Sequence, residues 1–245
     1  MPLQTKSAVT PMPATASPIP ATSPAQLVAI FPDSEVVFSP STVDFDTAFY
    51  VSASRGYLST YRQYLTDVGW VSAADVVARI AVENSINPRL LLALLEYQSG
   101  CVLGQPPVAN HGEVLMGAAD YYRKDLYGQL IWAIHQVSLG YYGLQGGTLT
   151  EIPFADGGSR PLEPGTNGGA AALEYLFAQV YSGERWQQAL IEFSALYRQM
   201  FGDPWERAVE PLLPANLTQP VWILPFEVGK VWSFTSGPHP VWEKS

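Results

Sequence analysis

Few side chains in this sequence have the chemistry to act on a substrate, and carboxylates come first among them. Glu83, Glu96 and Glu113 are candidate general acids, because a carboxylic acid can protonate a leaving oxygen. The setting of Glu96 is the most suggestive: Glu96-Tyr97-Gln98-Ser99-Gly100 closes a long apolar run. Gln98, two residues on, is an amide with no proton to give and lies about 200° from Glu96 around a helix. Glu96 therefore reads first as a charge at the solvated edge of a buried helix, then as a displaced acid or a ligand contact. Glu83 and Glu113 read as surface or capping residues, with the same catalytic alternative.

Histidines are the second kind. His239, in Ser236-Gly237-Pro238-His239, is either a metal ligand or a surface histidine. A hydrolytic zinc centre needs about three protein ligands and a water, so this residue alone cannot build one. His135 shares a helical stretch with Ile131 and Leu139 and reads as a packed or partly exposed helix residue. His111, in Asn110-His111-Gly112-Glu113, reads as a loop or helix-start residue. A single cysteine, Cys101, excludes an internal disulfide and a cysteine zinc cluster, and reads as a small buried apolar group. The absence of a His-Glu-x-x-His pair, a glycine-rich phosphate loop and a Gly-x-Ser-x-Gly elbow removes nucleotide and triad-hydrolase readings.

Aromatic side chains offer another kind of chemistry, since sugar rings lay their C–H faces on Tyr and Trp. Tyr97, Tyr121, Tyr122, Trp132, Tyr141 and Tyr142 could line a saccharide groove, or could simply fill a core. Their position on an open face decides between the two.

The elements that must hold these residues are mostly helical. Tyr57, Leu58, Tyr61, Tyr64 and Leu65 recur at three- and four-residue spacing, which predicts an amphipathic helix. Ser72 with Asp75 predicts a capping box ahead of the stripe Val76, Val77, Ile80 and Ala81. Asn87-Pro88 predicts the cap and first residue of a nearly all-apolar central helix running to about Ser99. A further helix is expected from about Val114 to Leu139, broken near Gly128 and ending before Gly140-Tyr141-Tyr142-Gly143. Residues 148–160, with alternating Leu149, Ile152 and Phe154 before Asp156-Gly157, predict a short hairpin or ordered loop. Helices resume after Asn167 and again near Arg185, the last stopping at Gly202-Asp203-Pro204. Val221–Phe226 and Lys230–Thr235 are β-type runs, rich in aromatic and β-branched residues.

Composition excludes several partners. A net charge of −9, with no basic run, gives nucleic acid and anionic membranes little to hold. No apolar run approaches the roughly 20 residues of a membrane span. Residues 1–26, almost wholly Pro, Ala, Thr and Ser, predict a disordered tether, and Met1–Pro20 has neither the cationic end nor the apolar stretch of an export signal.

The stretch Ile80–Gly100 resembles the core helix pair of lysozyme-like, lytic-transglycosylase-related domains, and Pro164–Leu173 resembles the helix that closes such a domain. The resemblance covers roughly residues 45–202 and places Gln98 where that family carries its catalytic glutamate. Leu224–Phe226 to Val231–His239 resembles the entry into lysostaphin-like zinc endopeptidases, with His239 matching their first zinc ligand. Together these imply a mainly α fold: a lysozyme-like helical domain over residues 27–214 with a short hairpin or loop insertion, followed at 215–245 by a short β segment that begins a metallopeptidase domain. They imply a peptidoglycan-directed protein of the cell envelope or exterior. Its helical part would bind peptidoglycan or another cell-wall glycan without cutting it. No cofactor is expected in this chain, and zinc in the full-length protein. Two alternatives stay open: an active muramidase or lytic transglycosylase using Glu96 or Glu113, and a structural or adhesive envelope module.

Overall fold

The computed structural model describes residues 30–105, 115–116 and 124–212, together with scattered positions between 216 and 231. The chain divides into two units, Met1–Leu212 and Leu213–Ser245. Among the described residues the first holds seven α-helices and two antiparallel two-stranded ribbons: α1 (Thr47–Ser54), β1 (Arg62–Leu65), β2 (Gly69–Ser72), α2 (Ala73–Glu83), α3 (Pro88–Ser99), α4 (Leu126–Gln145), β3 (Glu151–Pro153), β4 (Ser159–Pro161), α5 (Gly168–Ala178), α6 (Gly183–Phe201) and α7 (Pro204–Arg207). The mainly α fold expected from the sequence is the fold observed.

Local signals set most helix ends. Ser72 and Asp75 form the reciprocal capping box, and Asn87 caps α3 with Pro88 in its first turn. Asn167 caps α5 by accepting from the Ala170 N–H. Gly202, at φ +82, takes α6 into the turn before Pro204. The central helix is α3, whose residues Leu90 to Leu95 are all fully buried. It packs on α2 and α6, while α4 and α5 make the most extensive pairing in the unit.

Two expectations are corrected. Tyr57–Leu65 is not a helix: a single 3-10 turn at Tyr57–Ser59 leads into β1, which pairs with β2 in the register Gln63↔Val71 and Tyr64↔Trp70. Arg55 in the left-handed region closes α1, and from Arg62 the chain alternates exposed and buried with period two. The helical spacing of the apolar residues there is overridden by Gln63, whose buried side chain accepts from the Tyr127 N–H in the first turn of α4.

Second, α4 begins at Leu126, where the Asp125 side chain caps Gly128, with no break at Gly128; residues 114 and 117–123 of the expected helix lie outside the described residues. It then runs unbroken through Gly140-Tyr141-Tyr142-Gly143 instead of stopping before them. Gly140 serves packing. A Cβ there would lie 2.4 Å from the Ala171 carbonyl oxygen, so only glycine lets α4 approach the small-residue face of α5.

The second hairpin matches expectation, with Ile152 buried beneath it. None of the described residues between 216 and 231 lies in a strand. The tether at 1–26, the rest of the two β-type runs and His239 lie outside the described residues.

Candidate functional site

The C-terminal end of α3 carries the residues that sequence spacing singled out. Gly100, left-handed at φ +65, ends the helix and lets the chain fold back through residues 101–104. The Glu96 carboxylate is occupied by that turn: Oε2 accepts from the backbone N–H of Val102 at 2.8 Å and of Leu103 at 2.9 Å. The Gln98 Oε1 accepts from the Tyr181 hydroxyl at 2.9 Å. The structure therefore gives the two side chains different neighbours, as their angular separation on the helix requires.

Tyr97 belongs to a network that joins α3 to α6. Its hydroxyl donates to Glu192 Oε2 at 2.8 Å and accepts from Arg185 Nη2 at 2.9 Å, while Arg185 Nη1 reaches Glu192 Oε2 at 2.7 Å. Gln188 donates to the other Glu192 oxygen, and Arg185 lies 4.9 Å from the centre of the Tyr181 ring. Burial, and then the Glu192 carboxylate, push the Tyr97 phenol well above its usual range. Burial opposes ionisation of Glu192, but hydrogen bonds from Arg185, Tyr97 and Gln188 outweigh it and hold that carboxyl below its usual value. The Tyr97 hydroxyl and both Glu192 oxygens are thus matched by other protein groups, and a carboxylate held ionised in this way is poorly suited to give up a proton. Arg185 and Glu192 were not foreseen, although seven residues apart they fall on one face of a helix.

A different surface opens beside the α4–α5 crossing. The close approach at Gly140 brings Tyr142 of α4 and Tyr175 of α5 onto the walls of a groove of about 400 Å³, with His135, Ser138 and Leu139 along α4 and Thr148 and Leu149 on the following loop. The loop is fixed because the Gly143 carbonyl accepts from the N–H groups of both Thr148 and Leu149. Tyr142 is 55% exposed, whereas Tyr141 is 6% exposed, its ring packed edge-on against that of Tyr142. Of this aromatic pair, only Tyr142 has a free face. His135 is an exposed helix residue at the groove. Tyr175 was missed, since nothing in its local sequence shows that α4 comes so near.

Glu174, also on α5, is 5% exposed. Burial raises its carboxyl to about 7, against the opposing charge of Arg160 and with that of Glu163 adding to the rise. Arg160 itself pairs with Glu163 at 3.1 Å.

The remaining expectations resolve as follows. Glu83 forms a surface ion pair with Arg79 at 2.7 Å. Cys101 is fully buried and its thiol is pushed up to about 12 by that burial. Glu113, His111, Tyr121 and Tyr122 lie outside the described residues. Among the described residues no group of three or more His, Cys, Asp or Glu is placed to hold a metal ion, so the zinc that the resemblance implies has no site there. No described helix is long and apolar enough to cross a membrane.

Comparison with known proteins adds one match. The family model of the LasA N-terminal domain covers residues 29–216, which is the N-terminal part of a staphylolytic protease and includes none of its peptidase domain. No curated protein and no solved structure matches the chain. The matched stretch takes in every described helix and both ribbons, and the chain belongs to the LasA N-terminal domain family, a module of cell-wall-directed proteases.

Proposed function

We propose that this chain is the glycan-binding, non-cutting module of a cell-wall zinc endopeptidase, with peptidoglycan as its partner and the cell exterior or envelope as its place of action. The observation that carries this reading is the open groove at the α4–α5 crossing, whose lining includes the half-exposed Tyr142 and the partly buried Tyr175. Tyrosine rings offer flat apolar faces to a pyranose, and Ser138, Thr148 and His135, which also line the groove, can supply polar contacts for its hydroxyl and acetamido groups. Family membership supports the cell-wall direction.

The absence of cutting rests on the end of α3. A lysozyme-like acid would sit at position 98, where this chain has an amide already accepting from Tyr181, and the neighbouring Glu96 carboxylate is bound to two backbone amides. Zinc would supply hydrolysis of the peptide part of the wall from the peptidase domain that the family implies. The residues described here contribute binding and positioning alone.

The test is a pull-down on purified peptidoglycan with release of reducing sugar ends followed in the same tube. Retention without release is the expected outcome. Release of reducing ends would overturn the non-cutting part of the reading, and absence of both would overturn glycan binding.

A further inference from the structure

The ribbon β1–β2 presents an unusual outer face. Tyr64 and Trp70 stand directly opposite each other in its register, 57% and 66% exposed, with ring centres 5.9 Å apart and planes at 71°. Arg62, two residues before Tyr64 on the same face, donates from Nη2 to the Trp70 backbone carbonyl at 3.3 Å, which ties its guanidinium to the partner strand at the Trp70 position. The other guanidinium donors of Arg62 have no partner among the described residues.

This ribbon is tied to the helices at two points. On the inner side the buried Gln63 bonds the first turn of α4. At the turn, Asp67 pairs at 2.7 Å with Arg79 of α2. Large rings exposed on a mobile loop are common, but rings on a ribbon tied at both its face and its tip are preorganised for contact.

The size of the face selects its occupant. At about 150–250 Å² per ring, the exposed shares of Tyr64 and Trp70 amount to about 250 Å². A stable protein interface needs about 800 Å² per partner, so the patch is too small for a second copy of this chain, which is also repelled by a net charge of −9. A sugar ring with a carboxylate fits both the rings and the positive charge of the solvent-facing Arg62 guanidinium.

We propose that Tyr64, Trp70 and Arg62 form a second saccharide-binding site, separate from the α4–α5 groove and selective for an anionic amino sugar: the pyranose stacks on the Trp70–Tyr64 pair and its carboxylate takes the free donors of Arg62. The site deepens the glycan-binding reading and rests on it for the identity of the wall polymer; the muramyl carboxylate is free there only where the stem peptide has been removed, so the site selects peptide-stripped glycan.

The probe is the disaccharide N-acetylglucosaminyl-N-acetylmuramic acid, with neutral di-N-acetylchitobiose as the carboxylate-free comparison. The Trp70 indole N–H resonance of the full chain, assigned by its loss in Trp70→Phe, reports binding. The muramyl disaccharide should shift that resonance with an affinity about tenfold above the neutral one, and Arg62→Gln should abolish the preference. An indole unmoved by the muramyl disaccharide in a chain still retained on peptidoglycan overturns the ribbon site and leaves the groove reading intact. A muramyl-selective shift in a chain not retained on peptidoglycan supports the ribbon site and overturns the wall-binding reading. Equal response to both sugars overturns the role of Arg62. Far-ultraviolet circular dichroism of Arg62→Gln and Trp70→Phe checks that the exposed substitutions leave the fold unchanged.

Discussion

The end of α3 and the groove between α4 and α5 both display tyrosines near polar side chains, yet they differ in what is left free. At α3, the Tyr97 hydroxyl, Arg185 and Gln188 match both Glu192 oxygens, and the Gln98 oxygen accepts from Tyr181. In the groove Tyr142 keeps more than half of its surface in water. Hydrogen-bond capacity that is already satisfied inside the protein adds little to ligand binding, because each bond to ligand replaces one to protein. The region whose sequence looks catalytic therefore has its main polar groups engaged within the protein. The region that looks like a glycine-broken helix end offers the free surface.

Four substitutions sharpen or break this contrast. Gly140→Ala has the largest expected effect, since its Cβ would lie 2.4 Å from Ala171 O and 2.8 Å from Tyr175 Cβ. Relief requires α4 and α5 to separate, at a cost of about 3 kcal/mol, or about 10 °C in thermal midpoint by calorimetry. An unchanged midpoint would show that the crossing is looser than described.

Next comes Glu174, which tests whether the α5 face away from the groove is a plain buried region. Its carboxyl keeps a proton up to about pH 7 when folded, against a usual 4.5. The folded state thus binds the extra proton between those values. The stability this contributes is complete below about pH 4.5 and lost as pH rises through 7. The stability of Glu174→Gln relative to wild type should therefore rise by about 3 kcal/mol between pH 4.5 and 8 in denaturant titrations. A flat difference would remove the burial argument.

Tyr142→Ala should weaken retention on peptidoglycan about tenfold while moving stability by no more than about 0.5 kcal/mol, as suits an exposed ring. Glu192→Gln completes the contrast in the opposite sense. It should cost at most about 1 kcal/mol, because the pair is partly exposed, and should leave retention unchanged. Retention that fell with Glu192→Gln and not with Tyr142→Ala would exchange the two regions.

Much of the fold was legible because its signals are local. Ser72 with Asp75, Asn87 with Pro88 and Asn167 each satisfy backbone groups within three residues, so the sequence alone marks those helix starts. What was not legible depends on contacts far apart in the chain. Tyr61, Tyr64 and Leu65 carry helical spacing, but the ribbon is decided by Gln63 reaching Tyr127. Gly140 resembles a helix stop in isolation and becomes a packing residue only when α5 is in place. For the same reason Tyr142 was foreseen as a sugar contact and Tyr175 was not. The substitution of an amide at position 98 was visible directly, but the occupation of Glu96 by the turn after its own helix was not.

The most direct test compares wild type with the double variant Tyr142→Ala Tyr175→Ala in the peptidoglycan pull-down, with reducing ends measured in the same tube and folding checked by circular dichroism. The account predicts that wild type is retained without releasing sugar ends and that the folded double variant is largely lost to the supernatant. A folded double variant retained as well as wild type, or sugar ends released by wild type, would contradict it.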